Sequence, residues 1–267
     1  MKLTHKLCGA ALLAALGVSI ALPSVTKADE PGNALPQAGM DIQFTKNTGS
    51  GTTNTTTNSN GEDATITSGL VSTDAGTFGL RAGTPLNFGK DNSAASGTSR
   101  YFFAKNAILG LTGGEEKTVE NYISFVDDRS TVDHRYQITA EITEQLHAVF
   151  QGKTTELTGA ELSFLNGTIY NEDTKGAESD LTPTAPISTN PVTFGNATTI
   201  LDNTNVNQGR GNYKIIFGNM AEQGNATDSE KSIKLTVQDN SELFAETAYT
   251  GGITWKMNNI PTAPAGE

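Results

Sequence analysis

The sequence predicts an all-β fold: an antiparallel β-sandwich of barrel-like form, built as a single domain with little helix. Three observations predict it. Apolar and polar residues alternate through many short runs, the pattern of strands with one buried and one hydrated face. Clusters of Gly, Pro, Asn and Asp separate those runs, where the chain must turn. Helical periodicity is scarce, and no fixed-period repeat points to a solenoid. At one strand per roughly 8–12 residues, such a fold would hold about twelve strands.

In chain order, Lys2 and Lys6 precede an apolar stretch from Leu7 to Leu22, followed by Pro23, Ser24 and the small Ala28. That order is a secretory signal peptide over residues 1–28. The stretch is shorter than the roughly 20 residues of a stable membrane span. No later segment is apolar enough to cross a bilayer, so no membrane insertion is expected once the leader is removed. Cys8, the single cysteine, leaves with it, and an exported chain without disulfides suits a Gram-positive surface.

Residues 29–38 form a short extension, residues 39–263 the β domain, and residues 264–267 a tail. Asp41 to Thr45 reads as a strand, and the Thr, Asn, Ser and Gly run over 47–63 as a flexible loop, because it has almost no surface to bury. The clearest strands are Glu120 to Val126, Arg135 to Ile142, Ala160 to Phe164, Asn212 to Phe217, Ser232 to Val237 and Gly252 to Met257. Within them Tyr136, Ile138, Ala140 and Ile142 share a face, as do Ile233, Leu235 and Val237. Asn166-Gly167 between Phe164 and Ile169 predicts a two-residue hairpin. Glu141 to Phe150 fits a helical turn or a strand with an irregular break near Glu144, and the strand is the preferred reading.

The chain carries 18 basic and 29 acidic residues, for a net charge of −11. Loss of Lys2, Lys6 and Lys27 with the leader takes this to −14. Nucleic acid and anionic lipid are poor partners for such a surface. Attachment to any anionic surface would have to come from a local site for sugar or peptide, or from a protein partner, and not from bulk attraction.

The run Tyr249-Thr250-Gly251-Gly252-Ile253-Thr254-Trp255-Lys256-Met257-Asn258-Asn259-Ile260-Pro261 resembles the C-terminal signature of the WxL domain, with Met257 in place of leucine. Further segments match in order: Pro85-Leu86-Asn87-Phe88-Gly89, the acidic-basic Asp127-Asp128-Arg129, and Leu157-Thr158-Gly159-Ala160. Asn207-Gln208-Gly209 with Gly211-Asn212-Tyr213 matches a Gly-rich stretch. The first Trp-x-Leu of the family is here Tyr136-Gln137-Ile138. The likeness runs from about Gly39 to Ala263. It implies non-covalent attachment to the Gram-positive wall through peptidoglycan, beside other cell-surface proteins. Pro264-Ala265-Gly266-Glu267 has no sorting signal, consistent with attachment that is not covalent.

Candidate binding residues follow. Trp255, Met257, Tyr136 and Ile138 are the motif positions, and they either pack the core or touch ligand. Tyr101, Phe102 and Phe103 are consecutive aromatics that alternation cannot bury together, which makes them either a binding ridge or strand packing. Asp127, Asp128 and Arg129 read as a turn with a surface ion pair. Catalysis is not expected. Only His134 and His147 remain after the leader, with no nucleophile elbow or His-Glu-x-x-His helix. Glu141, Glu156 and Asp173 have no spacing that singles out a catalytic pair. The oxygen-rich Asp202 to Asn207 lacks the glycine and closing glutamate of a calcium loop. No cofactor or metal is therefore assigned. The function expected is wall attachment as a binding or scaffold component, with docking onto a partner protein as the alternative.

Overall fold

The computed structural model describes residues 32–34, 38–40, 54–57, 59–90, 92, 100–177, 181, 190–244 and 247–260, all within one compact unit that begins at Pro31. The segment 1–28 expected to be a leader, the expected strand Asp41 to Thr45 and the tail 264–267 lie outside the described residues.

The first half of the chain forms β1 (Gly32–Ala34), β2 (Ala38–Met40), β3 (Thr55–Thr57), β4 (Asp63–Ser68), β5 (Val71–Ser72), β6 (Phe78–Gly83), β7 (Arg100–Phe103), β8 (Ala107–Leu111), β9 (Glu116–Val119) and β10 (Asn121–Asp127). The second half adds β11 (Tyr136–Phe150), β12 (Lys153–Glu156), β13 (Glu161–Phe164), β14 (Gly167–Asn171), β15 (Gly176–Ala177), β16 (Thr198–Asn203), β17 (Gly211–Phe217), β18 (Ile233–Val237) and β19 (Thr250–Asn259). Helix among the described residues is limited to the 3-10 turns Met220–Glu222 and Ser229–Lys231.

Four antiparallel sheets assemble these strands. The first runs β1-β19-β11-β12, with β2 also on β19 and β16 also on β11. The second runs β15-β14-β17-β10-β6-β5, the third β13-β18-β7 and the fourth β3-β4-β8-β9. The main core lies between the first and second sheets, where Ile138, Ile142, Ile253 and Trp255 meet Leu80, Phe125, Ile215 and Phe217. A smaller core of Ala64, Leu70, Leu109 and Leu111 packs on the opposite side of the second sheet, against Ala82 and Tyr122. The second sheet is thus a middle layer. This explains β10, in which every residue from Asn121 to Asp127 is buried: Ile123 and Phe125 enter one core and Tyr122 the other.

β11 is a continuous strand, and its register against β19 shifts between Ile142 and Glu144 and again between Glu144 and His147. The break lies at Glu144, where the apolar alternation slips. Gly251 makes this bend close-fitting, because a Cβ there would sit 3.0 Å from the Glu144 carbonyl and 3.1 Å from Leu146.

Two expectations are corrected. Asn166-Gly167 does not close a hairpin. β13 pairs with β18, and β14 pairs with β15 and β17, so the dipeptide is a corner between two sheets. A type I′ hairpin needs both central residues at positive φ; Asn166 has φ 54°, and Gly167 is not left-handed. The Asn166 amide instead donates to Ala226 O at 2.9 Å and to Ser232 Oγ at 3.0 Å. Within the Thr/Asn run read as a loop, Thr55–Thr57 forms a strand against Asp63–Thr65 of β4. Threonine suits a pleated, half-hydrated surface even without a core to fill.

Candidate functional site

The two motif segments become neighbouring strands. Ile138 on β11 lies directly opposite Met257 on β19, Ala140 opposite Trp255, and Tyr136 opposite Asn259. Directly opposed residues share a face, so Tyr136, Ile138, Trp255 and Met257 all point into the main core. Ala140 opposite the indole leaves room for it. Trp255 meets Phe164 edge-on with centroids 5.0 Å apart and lies 6.4 Å from Phe217. Tyr136 meets Phe125 at 5.8 Å and Phe78 at 6.2 Å. Trp255 is 2 % exposed, and Tyr136, Ile138 and Met257 are fully enclosed. The space between Trp255, Phe164, Phe217, Thr84 and Asn121 admits no water-sized void. A wall polymer cannot reach these four side chains while the fold is intact.

At one end of the motif strands sits a buried polar cluster. β10 puts Asp127 on the same face as Ile123 and Phe125, and its side chain is fully buried. Arg129 grips it twice, Nε to Oδ1 at 2.8 Å and a terminal nitrogen to Oδ2 at 2.7 Å. His134 Nδ1 lies 3.0 Å from Oδ2. Burial pushes the Asp127 carboxyl up, but the bonds from Arg129 and His134 together outweigh it and hold the group below the usual carboxylate range. Arg129 also donates to Asn259 Oδ1 at 2.8 Å and stacks 4.0 Å over the Phe78 ring. Asp127-Asp128-Arg129 is therefore not the surface ion pair expected. Only Asp128 behaves so, pairing with Arg210 at 3.2 Å in the open.

A second set of bonds secures the loop after β16. The Asn203 amide donates to His134 O at 2.7 Å and to Gln208 O at 2.8 Å. The Tyr136 hydroxyl donates to Gly209 O at 3.2 Å, and Tyr213 to Arg210 O at 2.8 Å. Gly209 has φ +87°, and a Cβ there would fall 2.5 Å from Asn203 Nδ2 and 2.7 Å from the Tyr136 hydroxyl. Only glycine fits. Tyrosine at the first motif position thus adds a hydroxyl anchor that tryptophan could not supply in the same way. Both loops end in exposed valines, Val132 at 90 % and Val206 at 38 %.

The consecutive aromatics divide. Phe102 packs against the main core. Tyr101, 59 % exposed, and the half-buried Phe103 face outward. Their rings meet at 69° with centroids 5.7 Å apart. Sequence reasoning missed the Asp127 cluster. The available signal was a carboxylate in register with Ile123 and Phe125 on a core face, which demands partners, and the nearest basic residues downstream are Arg129 and His134.

The model of the family described as "WxL domain surface cell wall-binding" matches residues 36–261. The chain belongs to the WxL family. No curated protein and no solved structure matches the chain. The WxL match takes in both motif strands, the Asp127 cluster and the outward aromatics. The family description names wall binding at the cell surface and no reaction. Among the described residues no three His, Cys, Asp or Glu side chains converge as a metal site, and no helix is long and apolar enough to cross a membrane.

Proposed function

We propose that this WxL protein is exported and attaches non-covalently to peptidoglycan of the Gram-positive wall, as a binding or scaffold component of a surface complex. The supporting observation is the extent of the family match, residues 36–261. It includes strands of all four sheets, so wall binding belongs to the whole body and not to an appended segment. The basic-then-apolar segment Met1 to Ala28 supports export. The acidic charge argues against bulk attraction to a wall that is itself anionic, which leaves short-range contact with sugar or peptide. Co-sedimentation of the mature chain, Asp29 to Glu267, with peptidoglycan stripped of protein and anionic polymers tests this. Retention that survives high salt is expected.

A second reading, docking chiefly onto another surface protein, draws on β7, which pairs only with β18 among the described strands and leaves an edge open to strand addition. Retention only on wall material that keeps its proteins would favour it.

A further inference from the structure

We propose that the outward face of β7 and β18 is the glycan-contacting surface, with Tyr101 and Phe103 seating N-acetylated sugar rings of peptidoglycan and Lys234 meeting a carboxylate of the polymer. This rests on the wall attachment proposed above and assigns it a place. The register sets the face. Phe103 lies opposite Lys234, and Tyr101 opposite Thr236, so these four side chains share the side away from the core, while Leu235 and Phe102 pack inward. Because the rings stand at 69° and 5.7 Å, they make the floor and wall of a shallow corner instead of a flat sandwich. The C–H face of a pyranose carries slight positive charge and stacks on the negative face of an aromatic ring. The acetamido methyl group fits against the second ring.

Charge selects the same occupant. The chain carries 29 acidic residues, yet β7 and β18 contain none. The neighbouring β13 puts one, Glu161, on this face opposite Thr236, and Lys234 makes no ion pair with it or with any other described residue. Lys105 continues the line beyond Phe103 and pairs with Glu230 at 3.3 Å, with side chains 58 % and 39 % exposed. A solvated pair of this kind is weak and easily exchanged for a ligand carboxylate. An uncharged apolar partner would leave Lys234 unused, and a phosphate polymer would leave the rings unused. Peptidoglycan offers sugar faces and carboxylates together. The motif aromatics Trp255 and Tyr136 are enclosed, whereas Tyr101 is the most exposed aromatic ring among the described residues, ahead of Phe194, and has an aromatic neighbour on the same outward face.

The test compares the mature wild-type chain with a Tyr101→Ala/Phe103→Ala variant and with Lys234→Gln, by co-sedimentation on stripped peptidoglycan and by titration with soluble fragments from its muramidase digest. The double variant should bind about 30-fold more weakly, the effect of removing an aromatic hot spot. Lys234→Gln should lose about three- to tenfold and reduce the salt dependence. Thermal melts verify folding. If the double variant does not fold, Tyr101→Trp serves instead, its new emission shifting to the blue on addition of fragments. Undiminished retention of a folded double variant, or no shift for Tyr101→Trp, overturns this inference while leaving wall attachment intact. Failure of the wild type to sediment overturns wall attachment itself, and this inference with it.

Discussion

The two motif strands and the loops at their end are held by opposite means. Around Trp255 the contacts are apolar and aromatic, and the Ala140 opposite makes space for the indole. Around Asp127 a fully buried carboxylate is satisfied by Arg129 and His134. An apolar core tolerates changes of shape at modest loss. A buried ion cluster tolerates almost none, because removing one member leaves the others desolvated and unpaired. The contrast assigns roles. The aromatic strands join the first sheet to the second, and the charged cluster fixes how the connections at their end leave the sheets. The enclosed side chains of neither region can touch the wall, which directs attention to exposed aromatics such as Tyr101.

Four single substitutions, and one second-site change, break or sharpen that comparison; the single ones come in falling order of effect. Trp255→Ala should destabilise the fold by about 3–5 kcal/mol in denaturant melts, as for other large aromatics cut from a core. If it abolished wall binding without lowering stability, the indole would be a contact residue after all. Asp127→Asn should lose about 2–3 kcal/mol, less than for a wholly buried pair because Arg129 reaches water. It should also change the acid limb of the stability curve. The folded Asp127 pKa lies below its unfolded value of about 3.9, so its contribution is complete above that value and disappears as pH falls through the lower folded one. Wild type and variant melts should therefore converge in strong acid, and curves that stay parallel there would remove Asp127 as the cause.

Gly209→Ala should lose about 1–3 kcal/mol through the left-handed backbone and the clash with Asn203 and Tyr136. Tyr136→Phe in the same background tells strain from the lost hydroxyl bond, since relieving the clash should recover part of the loss. Val132→Ser should lie within about 0.5 kcal/mol of wild type, because its side chain is 90 % exposed. A larger change in melting temperature would show that the loop tip is packed in solution.

Much of the sheet was readable in advance because alternation is local. Tyr136 to Ile142 and Ile233 to Val237 each show on which face their side chains fall, and the slip at Glu144 shows where the strand must bend. Asn166-Gly167 misled because the dipeptide encodes a sharp change of direction and not the identity of the next partner strand. Thr55–Thr57 was passed over because its strand is held by backbone pairing to β4, which no apolar pattern announces. The Asp127 cluster was missed although its partners lie only two and seven residues on, because Asp127-Asp128-Arg129 reads locally as an exposed turn and burial of the carboxylate comes from sheets packed on β10. Asp133 is the neighbour of His134 in the chain, but its carboxylate binds Arg135 at 2.7 Å, and the histidine reaches Asp127 instead.

By itself the sequence determined an all-β chain with an apolar face on each motif strand, a leader-like beginning and an acidic surface, since these depend on residue order and composition alone. Tertiary structure alone decided that the two motif segments lie side by side, that β10 is buried on both faces by a third layer, and that Tyr101 and Phe103 remain outside. Those outcomes depend on which strands pair and which sheets stack. Pairing is settled by contacts between residues far apart in the chain, and local alternation carries no information about them.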